Sequence, residues 1–116
     1  MTPRRIQRRR TKGWRMQDAA GNGLPTVCVG RPGPYGNPYY VTAERDLLVI
    51  DPYAVESAAD ATAKFRADLL AGKLDFTIED IRRDLAGKNI CCWCREDDPY
   101  CHGDVLLELA NRENPT

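Results

Sequence analysis

Between Asn89 and Leu106 the chain gathers four of its five cysteines and its single histidine, and that stretch dictates what its surroundings must be. Asn89-Ile90-Cys91-Cys92-Trp93-Cys94 reads as a strand buried on at least one face. Gly103 or Asp104 opens a helix whose Val105, Leu106, Leu109 and Ala110 face inward. Residues two apart on a strand share a face, so Cys92 and Cys94 point one way while Cys91 and Trp93 point the other. A strand, a short loop and a helix therefore present soft ligands and nucleophiles at the strand's carboxyl end.

The rest of the chain supplies partners for that unit. Ile6 and its flanking arginines suit an edge strand, and Val27-Cys28-Val29 a short buried strand that halts at Gly30. The segment Gly30-Arg31-Pro32-Gly33-Pro34-Tyr35-Gly36-Asn37-Pro38 has three glycines and three prolines, which leaves only a shaped loop. Leu47 to Ile50 is a candidate strand. A helix is expected after Asp51-Pro52, with Ala58, Ala61, Phe65 and Leu69 on its inner face and Gly72 closing it. Thr77 with Asp80 resembles a variant capping box, opening a shorter helix that buries Ile78, Ile81 and Leu85 and ends at Gly87.

This order favours an α/β fold, a small single-domain Rossmann-like sheet flanked by helices. The expected organisation is a basic arm over 1–15, a single domain over 16–112 and a frayed end over 113–116. Ligands in open α/β sheets collect beyond the carboxyl ends of strands, and the loops 30–38 and 95–102 both leave such ends. Parallel neighbouring strands would bring the two loops over one cleft.

The 116 residues suffice for one modest core. Formal net charge is zero, yet Arg4, Arg5, Arg8, Arg9, Arg10, Lys12 and Arg15 all precede the first acid, Asp18, leaving ten basic residues against 17 acidic ones beyond that point. A basic arm thus precedes an acidic body. Arginines fill the place where the apolar core of a signal peptide would begin, and no apolar run approaches a membrane span, so a cytoplasmic protein without a membrane partner is expected. In a reducing compartment an odd number of cysteines reads as thiols or metal ligands rather than disulfides.

Three readings of the cysteine cluster stand side by side. In the first, Cys101 is a nucleophile and His102 an acid/base at the start of the last helix, where backbone N–H groups lower a thiol's pKa, and Asp104 orients the imidazole or caps the helix. In the second, Cys92, Cys94, Cys101 and His102 hold zinc, although Cys-x-Cys followed by adjacent Cys and His departs from the usual knuckle spacing. In the third, the cysteines are small core residues and His102 a hydrogen-bonding helix start.

In the glycine-proline loop, Arg31 offers a planar fork to a phosphate or carboxylate, Gly36 permits close backbone approach and Asn37 reads a polar edge. The alternative is a rigid connection. In the arm, Arg8, Arg9, Arg10, Lys12 and Arg15 suit nucleic-acid phosphates and Trp14 suits base stacking. A solvated tail that neutralises the acidic body is the competing reading.

Arg-Arg-Thr-Lys-Gly-Trp-Arg at 9–15, Gly-Arg-Pro at 30–32 with Gly-Asn-Pro at 36–38, and Cys-Trp-Cys at 92–94 with Cys-His-Gly-Asp-Val-Leu at 101–106 together resemble the family catalogued as domain of unknown function 4326. The resemblance runs from about Arg5 to Asn111. It implies a phage or actinobacterial origin and marks Arg31, Gly36, Asn37, Pro38, Cys92, Trp93, Cys94, Cys101 and His102 as signature positions, without roles. Asp97-Asp98 departs from the usual pattern and disfavours phosphate beside the cysteines. The strand-loop-Cys-His-helix arrangement is also similar to another uncharacterised α/β family whose motif ends in Cys-His-Arg, a fold-level analogy.

The expected function is a ligand or catalytic site between the 30–38 loop and the 92–104 segment, acting on a nucleotide, nucleoside or nucleic-acid end. Arg31 would hold an anionic group, Asn37 orient the ligand and Trp93 form a wall. The alternatives are a non-enzymatic, zinc-stabilised nucleic-acid-binding protein and a phage accessory protein acting on a host partner.

Overall fold

The computed structural model describes residues 2–30 and 35–112. Arg31, the proposed anion fork, and residues 113–116, expected as a frayed end, lie outside the described residues.

Strand β5 (Asn89–Cys92) is the centre of the molecule, with all four residues buried. Strand β1 (Arg5–Gln7) pairs with it in parallel on one side, Ile6 opposite Cys91, and β2 (Thr26–Cys28) in parallel on the other, Cys28 opposite Cys91. The expected edge strand at Ile6 and the buried strand before Gly30 are both present, so β2 and β5 are parallel neighbours whose following loops leave the same end.

Alternation along β5 divides the core. Ile90 and Cys92 face a layer formed by α3 (Ala58–Leu70), α4 (Ile78–Leu85) and α5 (His102–Asn111), where Phe65, Leu69, Ile81, Leu85, Leu106 and Leu109 pack. Cys91 faces the opposite way, with Ile6 and Ala20, under a thinner cover of Trp14 and Met16. The short helix α1 (Met16–Ala19) lies on this side. Asn89, fully buried at the head of β5, takes N–H groups from Arg4 and Asn22 and donates to Asn22, Leu24 and Thr26, tying the sheet to the loop before β2.

The helices start and stop where local chemistry directs. Ser57 accepts the Asp60 N–H ahead of α3, and Gly72, at φ 72°, turns the chain after it. The Thr77/Asp80 capping box is complete: each side chain bonds the other's backbone N–H. Gly87, at φ 75°, follows α4.

Leu47 to Ile50 departs from expectation: it lies in a helix, α2 (Arg45–Ile50), not a strand. A run of four apolar residues carries no period that separates the two, and here Val49 and Ile50 are exposed at 85% and 74%, unsupported by any sheet neighbour. A separate two-stranded parallel sheet instead joins β3 (Tyr40–Val41) to β4 (Ala54–Val55). No helix among the described residues is long and apolar enough to cross a membrane.

Candidate functional site

The loops after β2 and β5 meet. A cleft of about 320 Å³ is walled by Gly30 and Asn37 from the first, by Trp93 and Asp98 from the second, by His102 at the start of α5, and by Tyr39, Ala61 and Thr62 behind them. Cys92, Cys94 and Cys101 line it as well, and their sulfurs all lie within 4.8 Å of one another. The chain gathers them in two ways: β5 carries Cys92 but ends there, two residues short of the expected strand, so that Cys94 follows in a bend, and the loop returns so that Cys101, the residue before α5, lays its sulfur 3.2 Å from that of Cys92. All three are free thiols, and three such sulfurs can hold a metal ion.

The cluster lacks the fourth ligand of the expected set. His102 stands at the cleft wall, but its Nε2 lies 2.9 Å from the Val29 carbonyl oxygen and its ring meets Phe65 edge to face. A carbonyl accepts only, so Nε2 carries the proton in that contact. The imidazole ties α5 to the end of β2, while the sulfurs form a three-ligand group on their own.

Asp104 likewise serves another partner. Its carboxylate takes the Nε–H of Arg5 at 2.8 Å. The Arg5 side chain is 4% exposed; its Nη1 lies 3.6 Å from the Cys92 sulfur and 3.3 Å from the Cys94 carbonyl, and its Nη2 donates to the carbonyls of Arg95, Glu96 and Asp98. One guanidinium therefore wraps the whole turn between Cys94 and Cys101. Burial is the largest influence and opposes its charge, but the Asp104 carboxylate and the Cys101 and Cys92 sulfurs together outweigh it and hold the guanidinium firmly protonated. The charge count of the arm concealed this residue; the available signal was its place beside Ile6 on a strand whose alternation aims it towards Cys92.

Electrostatics single out Cys92. Hydrogen bonds from the Cys101 and Cys94 thiols, with Arg5 behind them, hold the Cys92 thiol far below the ordinary range, burial notwithstanding. Cys101 moves the other way, raised by the Cys92 sulfur first, then by Cys94 and burial. The helix start was expected to activate Cys101; its backbone contribution does lower that thiol, but the neighbouring sulfurs outweigh it. Cys91, on the far face, is pushed up to about 12 chiefly by burial and is a core thiol.

Asn37 is buried and lines the cleft, with its amide engaged in the fold: Nδ2 donates to Ala61 O at 3.1 Å and Oδ1 accepts the Tyr39 N–H at 2.9 Å. Gly36 is not among the cleft walls. The backbone at Gly30 approaches Trp93 so closely that a Cβ there would stand 3.3 Å from the indole Cδ1. Gly103 is equally confined, its missing Cβ replaced by Arg5, Ile90 and Cys101.

The arm residues divide. Trp93 is 40% exposed, and the guanidiniums of Arg8 and Arg10 stand 5.0 and 4.9 Å from its ring. Trp14, proposed for stacking, is half-buried against the Ile6 and Cys91 cluster. Arg9, Lys12 and Arg15 are exposed.

Fold and site together define a small α/β protein with a three-cysteine cluster, Cys92 and Cys101 buried and Cys94 partly so, lining a cleft at the carboxyl end of a parallel sheet. The family model described as domain of unknown function 4326 matches residues 6–112, and the chain belongs to that family. No curated protein and no solved structure matches the chain.

Proposed function

We propose that Cys92, Cys94 and Cys101 form a metal-thiolate centre with an open position facing the cleft, and that the cleft takes a nucleobase or nucleoside. The observation that carries this reading is the mutual approach of the three sulfurs within 4.8 Å. Thiolates about 2.3 Å from a tetrahedral zinc stand about 3.8 Å apart, so the cluster matches one mononuclear ion. Closed structural sites use four protein ligands; three leave a position for water or substrate, and zinc held so supplies a Lewis acid and an acidified water. Arg5 offsets the surplus negative charge of three thiolates around a divalent ion.

The walls support a planar ligand. Trp93, Tyr39, Tyr40 and Tyr100 border the cleft with aromatic surface, while Asp98 at its edge favours a hydrogen-bond donor over a phosphate. Purified full-length protein should contain about one zinc per chain, and cobalt in its place should give the intense visible spectrum of a tetrahedral thiolate site. Cys94→Ser and Cys101→Ser should each weaken metal retention at least tenfold against a chelator. A stably folded protein that carries no metal and gives no cobalt spectrum refutes the centre.

A second reading is favoured by the 3.6 Å approach of Arg5 to Cys92: metal-free thiol chemistry, with Cys92 as the thiolate rather than Cys101. There, Cys92 would alkylate far faster than Cys101 in the metal-free protein.

A further inference from the structure

We infer that the rim of the cleft at Trp93 binds single-stranded nucleic acid, with the phosphodiester chain along Arg8, Arg9, Arg10, Lys12 and Arg15 and one base delivered into the cleft. The delivery of the base rests on the function proposed above; the binding of the strand does not.

The first observation is uncompensated charge. Among the described residues, the acids of the protein's own body neutralise only the start of the arm, where Arg4 meets Glu96 and Arg5 meets Asp104. Arg8, Arg9, Arg10, Lys12 and Arg15 are all exposed, and none of them forms an ion pair among the described residues. A tail that served to neutralise the acidic body would leave fewer cations bare. Five exposed cations along one short segment, none with an acidic partner among the described residues, are the footprint of a polyanion.

The second observation is where the cations stand. β1 pairs with β5, so the arm leaves the sheet beside the residue that follows β5, Trp93. Arg8 and Arg10 are drawn to the indole, which borders both the arm and the cleft. Arg8 is further held by a contact of its Nη1 with the Cys28 sulfur at 3.3 Å. Phosphate-binding groups and a stacking surface are thus contiguous, the combination by which single strands are gripped without sequence preference. Asp98 on another wall repels the backbone, so the strand is confined to the arginine side and only a base faces the sulfurs.

A duplex keeps its bases stacked and out of reach of such a cleft. A single strand is therefore the better fit.

The test is fluorescence anisotropy of a short labelled oligothymidine against the full-length protein, with salt varied between about 0.05 and 0.2 M. Binding should weaken with salt at a slope of about −0.7 per phosphate contact. The triple variant Arg9→Ala, Lys12→Ala, Arg15→Ala should bind about 100-fold more weakly at about 0.1 M salt and lose about two units of slope. Trp93→Leu should cost about tenfold with the slope retained. Circular dichroism confirms that each variant folds, and Trp93→Phe, which keeps a ring, should recover most of the affinity.

No binding by the folded wild-type protein, an unchanged slope in the triple variant, or a duplex bound as tightly as the single strand overturns the inference. Zinc content measured on the same preparation keeps the two proposals apart. Zinc-loaded protein that ignores single strands sinks this one alone, and metal-free protein that binds them sinks only the centre.

Discussion

Arg5 shows how one side chain organises a site without entering it. A guanidinium presents five N–H donors in a fixed fork, and here they reach a carboxylate, a sulfur and four main-chain carbonyls of the 94–98 turn. Those carbonyls curl around the charge, and the curl returns Cys101 to Cys92. Arg5→Leu strands the acceptors and should cost about 3 kcal/mol in urea unfolding, towards the lower end for a broken buried pair because Asp104 is half-exposed. Arg5→Lys keeps a charge but not the fork, and should recover less than half of that loss. An Arg5→Leu protein within about 0.5 kcal/mol of wild type would show that the turn holds itself.

At the scale of elements, legibility follows the strength of local chemistry. The capping box of α4 was readable because Thr77 and Asp80 satisfy each other's backbone N–H groups whatever surrounds them. α2 was not readable, because Leu47 to Ile50 lack period and cap alike. It ends at Ile50 because Asp51, the residue before Pro52, is extended, and the strands that flank it, β3 and β4, are too short to announce themselves. In the site, the approach of Cys94 to Cys92 comes from the bend beyond β5 rather than from strand period, while the meeting of the two loops does follow from parallel order. The turn of His102 towards Val29 and the capture of Asp104 by Arg5 do not, since both depend on contacts far apart in the chain. Thr77→Ala tests the first case: with the reciprocal caps lost, unfolding free energy should fall by about 1 kcal/mol, while cobalt binding, remote from α4's start, stays unchanged. A larger loss, or a changed cobalt spectrum, would couple α4 to the cysteines.

Across the whole molecule, the segment that walls the cleft is fastened by tyrosines to acids on three different elements. Tyr35 bonds Asp84 on α4, Tyr39 bonds Asp68 on α3, and Tyr40 bonds Asp51 at the end of α2. A phenol that donates to a carboxylate must keep its proton. Burial first, then Asp84, pushes Tyr35 up to about 12; the bond to Asp68 first, then burial, does the same for Tyr39. An unfolded tyrosine ionises near 10. Each raised phenol therefore contributes stability that is fully present below about pH 10 and is lost as pH climbs through about 12, where the folded state must surrender the proton and face two anions together. Within that window Tyr35 should lower the unfolding free energy by up to about 1.4 kcal/mol per pH unit. Tyr35→Phe should lose about 1 kcal/mol at neutral pH, its hydrogen bond gone, and then fall less steeply than wild type between about pH 10 and 12. Because lysines and cysteines titrate alike in both proteins, the difference between their two curves isolates the phenol. Parallel curves would mean that Tyr35 carries no proton-linked share of the fastening, leaving Tyr39 and Tyr40 to hold the cleft wall.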